Sequence, residues 1–285
     1  MEKMKVIWLV FGMVFGFCFY ARAQESATPK NPGDSYPKAD VSEHTPLAYP
    51  PLREADVAYC KRIERVIDTR EKKNEVMNWP KNPLYNIIHN LVTNGEADFP
   101  GELKVYRNDS LTNPMSIKNI AKIGAITETV SKIKDTTDIY NTVDVLVNTP
   151  YDYSEIKRWQ IVEDWIFDKQ RSEFFPRIVA IAPLYNPAPN GVPLPEQPMF
   201  YISWEQVRPF LAKEEIFNPE NDVRMSYLDF FDQRLFTSHI TKENNSQDLA
   251  IKDQPEYKDS PMQALYESER IKEELMNKED DLWEH

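Results

Sequence analysis

Cysteine, glycine and histidine are all scarce in this 285-residue chain. The cysteines are Cys18 and Cys60 alone. The seven glycines (Gly12, Gly16, Gly33, Gly95, Gly101, Gly124 and Gly191) are too scattered to build a Gly-rich phosphate loop. That excludes the commonest nucleotide-binding architectures. None of the four histidines, His44, His89, His239 and His285, is paired at metal-ligand spacing. The chain has no Gly-x-Ser-x-Gly elbow and no His-Glu-x-x-His. Cations are also short: 34 Lys and Arg face 46 Asp and Glu, a net charge of −12. Such a chain repels nucleic acid and anionic head groups and favours soluble, basic protein partners.

Only one long apolar run is present, residues 6–20, preceded by Lys3 and Lys5. Ala21-Arg22-Ala23 follows it as a small-x-small cleavage site. This is the pattern of a secretory signal peptide cleaved after Ala23, with Gln24 as the mature N-terminus. An uncleaved anchor would need about 18 to 20 apolar residues. A lipoprotein acylated at Cys18 would need small residues before it, where Phe15-Gly16-Phe17 stands. Cleavage takes Glu2, Lys3, Lys5 and Arg22 away and moves the net charge to −14. It leaves Cys60 as the sole cysteine, so the mature chain forms no internal disulfide.

Residues 24–52 are punctuated by Pro29, Pro32, Pro37, Pro46, Pro50 and Pro51. They read as an extended arm, either an inert spacer or a strap for a neighbouring subunit. From 54 to 73 apolar residues recur at helical spacing, with Cys60 on one face with Ile63 and Ile67, as a buried core thiol. Asn82-Pro83 starts a second helix. Residues 103–106 and 142–147 are strand candidates, and 116–140 mix a short helix with Thr-rich sequence. The clearest strand signal is the alternation across 161–168, followed by apolar runs at 178–183 and 199–204. Together they predict an antiparallel meander, with a Pro-rich loop at 185–193. Helices follow, opened by Ser203 with Gln206, by Ser226 with Asp229 (running to Phe236), and by Ser260-Pro261 with Gln263. Pro209 makes the first of these short or kinked.

The expected fold class is therefore α+β: an antiparallel sheet of three or more strands packed with helices, preceded by an extended Pro-rich arm. The organisation is a signal peptide (1–23), the arm (24–52), an α-rich half (53–150) and an α+β half (151–285). The two halves are read as one globular unit.

Carboxylates remain as catalytic candidates. Glu163 shares a strand face with Ile161, Trp165 and Phe167, and Asp164 and Asp168 lie on the other. On a buried face Glu163 is either an acid with a raised pKa or one paired with Arg177 or Arg158. The structural ion pair is the preferred reading. His89, near an apolar helix face, reads as a structural histidine. Trp79, Trp159, Trp165, Trp204 and Trp283 suit core, glycan stacking or an interface. Core is the assignment for Trp165 and Trp204, whereas Trp283 needs the body or a partner. In the last helix Ala264, Ser268, Ile271, Leu275 and Leu282 form a narrow stripe fit for one groove, on this subunit or a neighbour. No catalytic, cofactor or metal residue is assigned.

Several stretches, in order and spacing, resemble the GldN/PorN family of the type IX secretion and gliding-motility machinery. They are Val162-Glu163-Asp164-Trp165-Ile166-Phe167-Asp168-Lys169, Arg177-Ile178-Val179-Ala180-Ile181-Ala182-Pro183 and Glu215-Ile216-Phe217-Asn218-Pro219-Glu220-Asn221-Asp222. To these add Lys242-Glu243-Asn244-Asn245, the run from Ala264 to Lys272 and the Asp-Leu-Trp ending. The resemblance is close from about 155 to the end, looser over 54–150 and absent in the arm. It implies a non-enzymatic periplasmic subunit that forms a ring with a PorK/GldK-like lipoprotein beneath the outer membrane. The implied partners are further copies of the chain and a PorM/GldM-like motor domain. No nucleic acid, cofactor or membrane span is implied. The alternative is an extracytoplasmic hydrolase or glycan-binding protein using Glu163, Asp164 and exposed aromatics.

Overall fold

The computed structural model describes residues 41–94, 103–120, 122–135, 138–188, 192–217 and 224–283. The signal segment and most of the arm lie outside the described residues, as do positions 189–191 of the Pro-rich loop. Strand β1 (Val57–Asp68) comes first, then helix α1 (Leu84–Asn94), β2 (Val105–Tyr106), β3 (Pro114–Met115), α2 (Ile117–Ile120), β4 (Ile126–Asp135) and β5 (Asp138–Thr149). There follow β6 (Arg158–Asp168), β7 (Glu173–Tyr185), β8 (Gln197–Pro198), β9 (Tyr201–Ser203), α3 (Trp204–Leu211), β10 (Glu215–Ile216) and β11 (Met225–Ser226). Helix α4 (Tyr227–Asp232), β12 (His239–Glu243) and α5 (Pro261–Trp283) complete the chain.

One sheet runs in the order β12-β1-β6-β7-β9-β2-β3, with β8 beside β7. Its pairings are antiparallel. The expected meander is its middle, β6-β7-β9. Strands β4 and β5 pair with each other as a separate long hairpin, and β10 pairs with β11.

The helix expected over 54–73 is instead strand β1, the neighbour of β6. Its apolar residues imitate a helical period because both faces of the strand are covered, so residues 63–67 are buried without a break. Short buried strands and helices share that pattern. The β-branched content of Val57, Ile63, Val66 and Ile67 favours the strand. Alternation then turns Cys60 to solvent, so it is exposed and not the expected core thiol. Its half of the chain, expected to be α-rich, holds five strands among the described residues.

Helices α1, α3 and α4 cover one sheet face. Leu84, Ile88, Val207 and Phe231 pack there against Ile67, Trp159, Ile161 and Ile202. Helix α5 covers the β12 end of the sheet, where Ile271 and Leu275 meet Ile63, Phe174 and Ile240. Each such fully buried aliphatic side chain contributes about 1.5–3 kcal/mol. The stripe expected on this helix therefore seats on its own subunit from Ala264 to Leu275, and the Leu282 side chain lies outside the described residues. Ser268, in the same stripe, accepts the Ile240 N–H at 2.9 Å. That caps a backbone donor on the edge strand, which would otherwise invite pairing with another chain. The opposite sheet face carries a smaller apolar patch, Val162, Ala180, Ala182 and Tyr201.

Helices begin at all three expected serines, and two of the three make the expected side-chain cap bond. Ser226 and Asp229 form a complete capping box, although α4 ends at Asp232 and not at Phe236. Arg234 at φ +53° turns the chain there. Ser260 Oγ accepts from Gln263 N at 3.4 Å. Ser203 makes no side-chain cap bond, and the Gln206 side chain that would complete a capping box accepts from the Lys104 N–H at 3.4 Å.

Candidate functional site

Glu163 is 0% exposed. Cross-strand register sets it opposite Ile63 of β1, with Arg65 on the same face two residues on. Arg65 Nε donates to Glu163 Oε2 at 3.0 Å, and Arg65 is itself buried. Arg234, from the turn after α4, donates Nη2 to Oε2 at 3.2 Å and places Nη1 2.9 Å from Oε1. Trp165 Nε1 also donates to Oε2, at 3.2 Å. Both guanidinium groups lie against the Trp165 ring, at 5.6 and 5.7 Å from its centroid. The expected ion pair exists, but its cations are Arg65 and Arg234 and not Arg177 or Arg158. Burial pulls the Arg65 pKa down, Glu163 opposes that pull, and the charge of Arg234 adds to it.

The other carboxylates are also engaged. Arg62 grips Asp164 with two parallel bonds, 2.7 and 2.8 Å. Asp168 accepts from the Gln170 N–H at 2.9 Å and from Arg171 at 3.0 Å, which fixes the β6–β7 turn. On the open sheet face Glu64 accepts from Gln160 and pairs with Lys242 at 3.0 Å. Lys242 also lies 2.7 Å from Asp248. Cys60 borders this charged groove, and partial desolvation of its sulfur together with the charge of Asp164 pushes the thiol pKa up, away from the reactive thiolate.

His89 packs its ring on Tyr153, 4.3 Å between centroids. This matches its structural reading, at the rim of a cleft of about 540 Å³ with Tyr85, Tyr151 and Tyr153 in its walls. Burial pushes Tyr151 up to about 12, so its phenol stays protonated at neutral pH. Trp159 and Trp204 are core, Trp165 packs on Phe174, and Trp79 stacks on Phe217. The Trp283 side chain lies outside the described residues.

The end of the arm lies on the body of the protein. Tyr49 sits between two guanidinium groups, with Arg208 3.8 Å and Arg177 4.6 Å from its ring centroid. Arg208 Nη2 donates to Leu47 O at 2.9 Å and Arg171 Nη2 to Pro51 O at 3.4 Å. A strand over 57–68 puts Ile63, Arg65 and Ile67 on one face, but its register against Glu163 is set by the fold and not by local spacing. No comparable signal linked Tyr49 to Arg208, which are 159 positions apart.

Among the described residues no group of His, Cys, Asp or Glu is placed to hold a metal ion. None of their helices is long and apolar enough to cross a membrane. Fold and side chains together define an acidic α+β protein on one antiparallel sheet, its buried carboxylates engaged in ion pairs. The family model described as gliding motility associated protein GldN matches residues 52–284, and the chain belongs to that family. None of the curated proteins compared with the chain matches it.

Proposed function

We propose that this chain is a non-enzymatic structural subunit of the type IX secretion and gliding-motility machinery. In this reading it is exported, loses residues 1–23 and forms a periplasmic ring with a PorK/GldK-like lipoprotein beneath the outer membrane. It contacts further copies of itself and a PorM/GldM-like motor domain. The observation that carries the reading is the family match across 52–284. The engagement of Glu163 supports it. A general acid or base must reach a substrate proton, and the oxygens of Glu163 face Arg65, Arg234 and Trp165. Asp164 is likewise gripped by Arg62. The two acids that the hydrolase alternative names are thus held in ion pairs.

The test is gentle detergent extraction of the native protein followed by size analysis. A particle far larger than one chain, containing a lipoprotein and copies whose N-terminus is Gln24, is the expected result. A partner-free monomer would sink the proposal.

A further inference from the structure

The arginine cradle around Tyr49 holds the end of the arm on its own body. Further towards the N-terminus the chain stays on that body. His44 Nδ1 lies 4.0 Å from Asp229 of α4, and Val41 is buried. Residues 24–40, ahead of this anchor, lie outside the described residues. They contain one Pro-x-x-Pro, Pro29-Lys30-Asn31-Pro32. Such a sequence favours a polyproline II helix, whose three-residue turn sets Pro29 and Pro32 on one edge about 9 Å apart.

The cleft between α1 and residues 150–154 has the chemistry to receive such an edge. Its volume, about 540 Å³, is in the range of ligand clefts. Tyr85 and His89 of α1 line it with Tyr151, Tyr153, Val92 and Ile120. Pro-x-x-Pro segments dock into grooves lined by aromatic rings, and their preformed helix loses little entropy in doing so. Burial, then the charges of Glu155 and Asp152, raise the Tyr151 pKa, and burial raises that of Tyr153. Both phenols therefore stay protonated and can donate to the backbone carbonyls that a polyproline II helix leaves unbonded. Glu155 and Asp152 also put negative charge beside Tyr151, which attracts Lys30, the sole charge in residues 26–33. The neighbouring Lys157 is turned to Ser154 O at 2.7 Å.

The anchored end of the arm and the cleft lie on the same side of the molecule. Helix α4, which His44 approaches, also carries Tyr227, whose hydroxyl donates at 2.7 Å to Asn82 O, two residues before α1. Helices α1 and α4 cover the same sheet face. Nine positions separate Pro32 from Val41, a leash of about 30 Å. A body of this size has a radius of gyration of about 18 Å, so the leash reaches well across it.

We infer that the cleft lined by Tyr85, Tyr151 and Tyr153 is a docking site for the Pro29–Pro32 segment of the chain's own arm. Seated there, the arm straps α1 to residues 150–154. The anchor at Val41–Tyr49 makes this an intramolecular step with a high effective concentration. The inference does not depend on the chain forming a ring.

The test uses full mature chains. A heavy-isotope copy with p-benzoylphenylalanine in place of Asn31 is mixed with an equal amount of a light, unmodified copy and irradiated. Adducts are then located and sorted by mass. Heavy-only adducts joining position 31 to the peptide holding Tyr151 and Tyr153, or to α1, are expected. They should fall about tenfold with Tyr153→Ser, a loss of ~1.4 kcal/mol. The same fall is expected with Pro29→Ala and Pro32→Ala together, changes ahead of residue 41 that leave the body intact. Absence of adducts at the cleft, or adducts indifferent to both prolines, would overturn the inference. Heavy–light adducts at the cleft would also overturn it, by giving the cleft to the arm of another copy. Either failure leaves the ring proposal standing.

Discussion

Arg65 reaches Glu163 across a single strand boundary, Nε to Oε2 at 3.0 Å, with both side chains buried. This contact ties β1 to β6, and Arg234 ties the turn after α4 to the same carboxylate. Three segments far apart in sequence thereby share one anion. The same contact separates a structural acid from a catalytic one, because the two make opposite predictions on removal.

Replacing Glu163 by Gln keeps the shape and leaves two guanidinium groups facing each other without their anion. Breaking a buried pair from one side costs about 3–5 kcal/mol. Glu163→Gln is expected to lower unfolding stability by that amount in urea denaturation. A variant as stable as the parent would remove the structural role given to this residue.

Ser268→Ala removes the acceptor that covers the Ile240 N–H. An unsatisfied buried donor costs about 1–3 kcal/mol. The loss should appear in equilibrium unfolding, accompanied by faster amide hydrogen exchange at Ile240. Unchanged exchange there would show that another group covers the edge.

How much of this was legible from sequence depends on where the deciding contacts lie. The alternation at 161–168 and the apolar run at 178–183 are local patterns, and both became the central strands β6 and β7. Residues 57–68 also carried a local pattern, but burial on both faces gave it a helical look. A helix over these residues would place Cys60 in the core and take Arg65 off the strand face that meets Glu163. The Tyr49 cradle depends wholly on tertiary proximity and left no trace in spacing.

The two serine starts make the same point experimentally. Ser226 accepts from Asp229 N at 3.1 Å and Asp229 returns a bond to the Ser226 N–H. Ser203 has a comparable sequence but makes no cap bond. Ser226→Ala should cost about 1 kcal/mol, whereas Ser203→Ala should fall within about 0.5 kcal/mol of zero. Thermal melts of the two variants side by side decide it, and equal losses would contradict the geometry.

His239 sets a pH dependence whose sign follows from its surroundings. Burial, then the charge of Arg158, lower its pKa below the ordinary 6.5, against weaker opposing pulls from Glu71 and Asp68. The unfolded chain therefore binds the His239 proton more readily than the folded one. Above the unfolded pKa both states are neutral at this site and folding loses nothing. As pH falls from about 6.5 towards the lower folded value, the unfolded state gains protons first and stability declines. Below the folded value that decline is complete. Carboxylates with lowered pKa values, such as Asp68 and Glu267, act at lower pH, where they lose their own stabilising contribution. Melting temperatures between pH 7.5 and 5.5 should fall in the parent and fall less in His239→Gln. Parallel curves for the two proteins would assign the slope to other groups.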